Sequence, residues 1–143
     1  MIKFELVTLA GTKFGDKVYE VLLPTPDGII AVFQHHMPLV SLATPGIISV
    51  RKKSSDPDDF MERYATNGGV IEILDNVVRV LVDEADHADE INEAETKKAL
   101  EHAHKLRLEA KDQISLNKAQ NLIDRSSVRL KVSELKRRRK QHK

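Results

Sequence analysis

The 143-residue chain contains no cysteine and no tryptophan. Without cysteine it has no disulfides, thiolate metal sites or cysteine nucleophiles, which fits a reducing compartment. Aromatics are few, two Tyr and four Phe. No apolar run approaches the roughly 18 residues that a transmembrane helix requires. The opening Met1-Ile2-Lys3-Phe4-Glu5 lacks the basic-then-apolar layout of a signal peptide. These absences predict a soluble chain whose membrane role, if any, comes through a partner.

At 41% hydrophobic residues the chain is too apolar for a disordered protein, although 31% of it is charged. Its length suits one domain, or a small domain with an appendage. The net charge of +1 is unevenly spread. Residues 1–82 hold eight Lys/Arg against ten Asp/Glu, giving −2, and residues 83–143 hold fifteen against twelve, giving +3. Asp83–Glu95 is acidic and Lys136–Lys143 is almost wholly basic.

Up to about Asp83 the pattern is that of strands. Lys3–Leu9 alternates, with Phe4, Leu6 and Thr8 on one face; Lys17–Leu23, Ile29–Phe33, Leu39–Ala43, Ile47–Arg51 and Val77–Val82 are rich in β-branched or other apolar residues. Turn signals recur at Ala10-Gly11-Thr12, Gly15-Asp16, Pro26-Asp27-Gly28, Pro45-Gly46, Asp56-Pro57-Asp58, Gly68-Gly69 and Asp75-Asn76. Such short spacing indicates an antiparallel β-sandwich or barrel, not alternating β-α units. The doublet Gly68-Gly69 suits backbone at positive φ, or packing too close for a side chain.

After Asp83 the period changes. Ile91, Ala94, Leu100, Ala103, Leu106 and Ala110 fall mostly at steps of three and four, a helical stripe with an acidic start at Asp89, Glu90, Glu93 and Glu95. A second stripe runs through Leu116, Ala119, Ile123 and Leu130, widened by Leu122, Val128, Val132 and Leu135. Ser115 is its expected N-cap, and Lys136, Arg137, Arg138 and Arg139 suit its C-terminus. The expectation is an α+β protein, with an N-terminal antiparallel β-sandwich (residues 1–84) and a C-terminal antiparallel helical hairpin (89–143). The thin, alanine-rich stripes imply a hairpin that must lean on the sandwich or on another protein.

The stretch Asp27–Gly46 (DGIIAVFQHHMPLVSLATPG) joins two apolar strands by a loop holding two histidines and a proline. Taken together, these features resemble the epsilon subunit of F-type ATP synthases, over nearly the whole chain. The residues that carry the resemblance are Gly28, Ile30–Val32, His36, Pro38, Leu39, Pro45 and Gly46, then Gly68, Gly69 and Val70–Leu74, then the two-helix region from Asp89. It implies a non-catalytic subunit of the central stalk, peripheral on the cytoplasmic face of the membrane. The sandwich would clamp the gamma subunit and sit on the proteolipid ring through loops that include Gly28, Ile29, His36, Pro38 and Leu39. Ile29 stands where some relatives carry an acidic residue. The hairpin would regulate ATP hydrolysis by reaching the alpha and beta subunits of the catalytic head, with Arg125, Arg129, Lys136, Arg137, Arg138, Arg139 and Lys140 facing an acidic segment there. Some relatives bind ATP in the hairpin; the corresponding positions here are Asp83, Ile91, Asn92, Glu95, Thr96, Arg125 and Arg129, with an acidic Glu95 in place of an arginine.

Other classes are less well supported by the residues. No catalytic residue, cofactor or metal is expected: Asp56, Asp58 and Asp59 read as loop carboxylates, and Ser54-Ser55 lacks a nucleophile-elbow context. His35-His36 reads as a loop surface pair, and His102 and His104 miss the i, i+4 spacing of shared ligation on a helix. The basic tail leaves a nucleic-acid-binding sandwich with a helical arm as the second reading. Against it, Asp89–Lys143 offers no aromatic ring for stacking on bases.

Overall fold

In the computed structural model, the described residues are 1–141, and at positions 139–141 only the backbone is described. Ten strands come first: β1 (Ile2–Thr8), β2 (Gly11–Val18), β3 (Glu20–Thr25), β4 (Gly28–Val32), β5 (Leu39–Ala43), β6 (Gly46–Arg51), β7 (Glu62–Thr66), β8 (Gly69–Leu74), β9 (Val77–Val82) and β10 (Ala85–His87). Short 3-10 turns at Asp58–Phe60 and Ala88–Glu90 flank β7 and follow β10; α1 (Glu93–Glu109) and α2 (Gln113–Gln141) close the chain.

The strands form two five-stranded sheets, β2-β1-β9-β8-β5 and β10-β7-β6-β3-β4. Neighbours are antiparallel except β1 and β9, which run parallel. Strand alternation puts Ile2, Phe4 and Leu6 of β1, Ile71 and Ile73 of β8, and Val78 and Val80 of β9 on one inner face. Val21 and Leu23 of β3 and Ile48 and Val50 of β6 meet them from the other sheet, and all these side chains are buried. Aromatic contacts close one margin of the sandwich: Phe4 on Phe14 (5.5 Å between centroids), Phe14 edge-on to Tyr64 (6.4 Å), and Tyr64 edge-on to His87 (5.1 Å).

Two strand boundaries differ from the sequence pattern. Gly15 and Asp16 lie inside β2, because an edge strand tolerates residues that a central one does not. The second sheet gains β10, which pairs with β7 beyond Asp83. The β8–β9 turn is tight: Asp75 and Asn76 have φ of 49° and 61°, as a type I′ hairpin demands.

The hairpin lies on the outer face of the second sheet. Val128 and Val132 of α2 pack on Ile47, Ala65, Ala88 and Ile91. Along α2 the buried positions Ala119, Ile123, Ser126 and Ser133 recur at steps of three, four or seven, turned toward α1, where Thr96 and Ala103 are buried. The small Ala119, Ser126 and Ser133, with Ala103 opposite, let the two helices approach closely. The N-cap of α2 is Asp112, not Ser115: its Oδ1 accepts from the Ser115 N–H at 2.7 Å. That hydrogen bond holds the Asp112 carboxyl below its ordinary range.

Candidate functional site

Three surfaces carry residues that the core does not need. The first is the edge where β4 ends one sheet and β5 ends the other. Gly28 opens β4 at φ +118°, a conformation that favours glycine. Ile29 follows, exposed. At the other end of β4 the chain crosses between the sheets through Phe33–Pro38. His35 sits there at φ 64°, and its N–H donates to Asn76 Oδ1 at 2.7 Å, fastening the loop to the β8–β9 turn. The terminal ammonium of Met1 donates to Gln34 Oε1 from the same side. His36 Nδ1–H donates to the Met37 carbonyl at 2.7 Å. Met37 and Pro38 are exposed and Leu39 half-buried, while Phe33 meets Tyr19 edge-on at 5.6 Å. Gly28 and Ile29 thus share an edge with His36, Pro38 and Leu39 but stand about 16 Å from them, one length of a five-residue strand.

The second surface is the outer face of the first sheet, which sequence reasoning missed. Leu42, Val70, Leu81 and Val7 stand in one cross-strand row, set by the pairings Leu42↔Val70, Val70↔Leu81 and Val7↔Leu81. Leu42 is 63% exposed and Leu81 48%, and Val40 and Leu74 extend the patch. At its end Leu9, Pro45, Gly68, Gly69 and Asp83 line a depression of about 770 Å³. A charged row borders the patch, where Arg79 Nε donates to Glu5 Oε2 at 2.9 Å. Hydrogen bonds from Arg79 and then Lys3 lower the Glu5 pKa. A sequence signal existed: in LVSLA, VIEIL and VVRVLV most outward positions (Val40, Leu42, Val70, Leu74, Val77 and Leu81) are apolar like the inward ones, with only Glu72 and Arg79 charged.

The third surface is the seam between α2 and the sandwich. Arg125 is hydrogen-bonded to Glu84 and Arg129 to Asp86. Lys136 Nζ stands 2.9 Å from Asp89, and Arg137 donates to Glu93 at 3.0 Å. Arg138 is exposed; the side chains of Arg139 and Lys140 lie outside the described residues. Asn92 is spent as the N-cap of α1, its Oδ1 accepting from the Glu95 N–H at 3.0 Å. Ile91 is buried under α2. Asp83 and Arg125 line adjoining depressions that share Pro45 and Asn67, while Ile91 lines another beside Glu93 and Ser133. Among the described residues no group of three His, Asp or Glu is spaced to hold a metal ion, and no helix is long and apolar enough to cross a membrane.

Comparison with known proteins adds an independent line. A family model described as the beta-sandwich domain of the ATP synthase Delta/Epsilon chain matches residues 1–88. The ATP synthase epsilon chain of Herpetosiphon aurantiacus is 32% identical over 139 residues, covering 96% of this chain and 98% of that one. Among solved structures, a chain of the Euglena gracilis mitochondrial ATP synthase superposes with a TM-score of 0.79 at 21% identity, covering 93% of this chain and 81% of that one. A chain of the central stalk and c-ring of the Tetrahymena thermophila mitochondrial enzyme gives 0.64 at 12% identity, covering 92% and 95%. At those identities the two structures speak for the fold.

Proposed function

The chain belongs to the ATP synthase epsilon chains, and from that premise we propose that it is a non-catalytic rotor subunit that passes ring rotation to the catalytic head. One observation carries the assignment of surfaces. Of the two outer sheet faces, one is covered by α2, and the other exposes the apolar row Leu42–Val70–Leu81. Patches of that kind mark protein contacts. The row is the gripping face for the gamma subunit, and the β4/β5 edge with Ile29, His36, Pro38 and Leu39 rests on the polar loops of the proteolipid ring. The chain is held in this way at the cytoplasmic face of the membrane, with no segment inserted. Residues 1–84 form the coupling body and 89–143 a regulatory hairpin. Released from the sandwich, the hairpin presents Arg125, Arg129 and the basic cluster from Lys136 to acidic segments of the alpha and beta subunits and opposes hydrolysis.

Gel filtration with purified gamma subunit tests the assignment. The expected result is stoichiometric co-elution, lost in Leu42→Glu/Leu81→Glu, whose changed side chains point outward and leave the core alone. Undiminished co-elution of that variant rules out the gripping face. The competing nucleic-acid reading requires binding to generic DNA or RNA that survives raised salt, because purely electrostatic contacts weaken steeply with it.

A further inference from the structure

The segment leading out of the sandwich and helix α2 carry opposite charges in the same order. Glu84, Asp86, Asp89 and Glu93 meet Arg125, Arg129, Lys136 and Arg137 respectively. The first step matches in length as well as sign: two residues of extended chain rise about 6.6 Å and four residues of helix about 6 Å. The apolar part of the docking is slight, two valines on Ile47, Ala65, Ala88 and Ile91. Helix α1 packs chiefly on α2, so it adds little of its own to the hold. Single exposed ion pairs contribute little, but several in register fix where a helix lies.

We propose that Glu84 and Asp86 are an ionic latch, acidic residues ahead of the hairpin that keep it on the second sheet, while Asp89 and Glu93 tie α2 to the hairpin's own entry. The latch occupies the same cations that an acidic segment of another subunit would need. Docking here and docking there are therefore mutually exclusive, and opening is governed by charge competition. The second half of this inference rests on the regulatory role proposed above; the first does not.

The absence of cysteine permits a direct test. Spin labels are placed at Lys17→Cys on β2 and Lys105→Cys on α1 in the full-length chain, both exposed positions, and the distance distribution is measured. Raising salt from about 0.1 M to about 1 M shortens the Debye length from ~10 Å to ~3 Å, and the long-distance population should rise several-fold. Arg125→Glu/Arg129→Glu should open the hairpin at low salt. Adding Glu84→Arg/Asp86→Arg to that variant should close it again, which a merely misfolded chain could not do. Glu84→Gln/Asp86→Asn, which removes charge without reversing it, should open the hairpin partially. A distribution that ignores salt and reversal alike overturns the latch, as does opening without rescue. An opened hairpin that leaves ATPase inhibition in the assembled complex unchanged sinks the regulatory reading and leaves the latch standing.

Discussion

Gly69 of β8 lies so close to the Leu81 backbone of β9 that a Cβ added to it would stand 2.0 Å from the Leu81 carbonyl oxygen. The obstacle is backbone within the β8–β9 pairing and cannot rotate away. Its neighbour Gly68, at φ +104°, satisfies the other requirement that a glycine doublet suggests.

Gly69→Ala should therefore push β8 from β9 and cost roughly 3 kcal/mol, the upper end of ordinary overpacking. Thermal denaturation of the isolated chain checks this, with a fall in Tm on the order of 10 °C. Wild-type stability in the variant means that the two strands can separate freely at that point.

Tyr64 yields a pH dependence. Burial first, then the charges of Glu62 and Glu90, raises its phenol from 10.0 to about 12. Because the folded chain resists ionisation that the unfolded chain accepts, this contribution to stability is intact below pH ~10 and declines as pH rises toward 12. Denaturation at a series of alkaline pH values should show that slope, and Tyr64→Phe should flatten it. A slope identical in the variant refutes the assignment.

The core was readable because strand alternation marks it directly, as in Phe4 and Leu6. The outward face of the first sheet was not, since period-two patterning tells inside from outside only when the outside is polar, and Leu42, Val70 and Leu81 are not. The seam was half readable. Charge blocks at 83–95 and 136–143 stood out, but the pairing of Arg129 with Asp86 depends on β10, a three-residue strand too short to leave a pattern. Capping chemistry allows both serine and aspartate, so the pattern alone permits Ser115, and only geometry chooses Asp112.

Removing residues from Asp89 onward should leave the gamma complex intact and raise the ATPase rate of the assembled enzyme. The sandwich loses only Ile91 and the α2 valines from its smaller apolar cluster. The larger core, from Ile2 to Ala85, contains no helical residue and is untouched. Gel filtration and ATPase assays read the two halves separately. Loss of gamma binding in the shortened chain contradicts the division of labour.

ATP should leave the isolated chain unmoved. A triphosphate would have to displace Glu84 and Asp86 from Arg125 and Arg129 and approach Glu95, a like charge, at the start of α1. Thermal unfolding with millimolar ATP is expected to show no gain; a rise of more than ~3 °C would reveal a nucleotide site.

The parallel pairing of β1 with β9 sets the timing of biogenesis. The chain's opening strand lies inside the first sheet, between β2 and a partner that ends at Val82. A nascent chain on the ribosome can close the β1–β2 hairpin early, but the remaining flank of β1 waits until that distant strand emerges. Contacts of such sequence separation are slow to form. Until synthesis passes Val82, the newborn subunit holds an unpaired, aggregation-prone border, so it is then that a chaperone has most to shield.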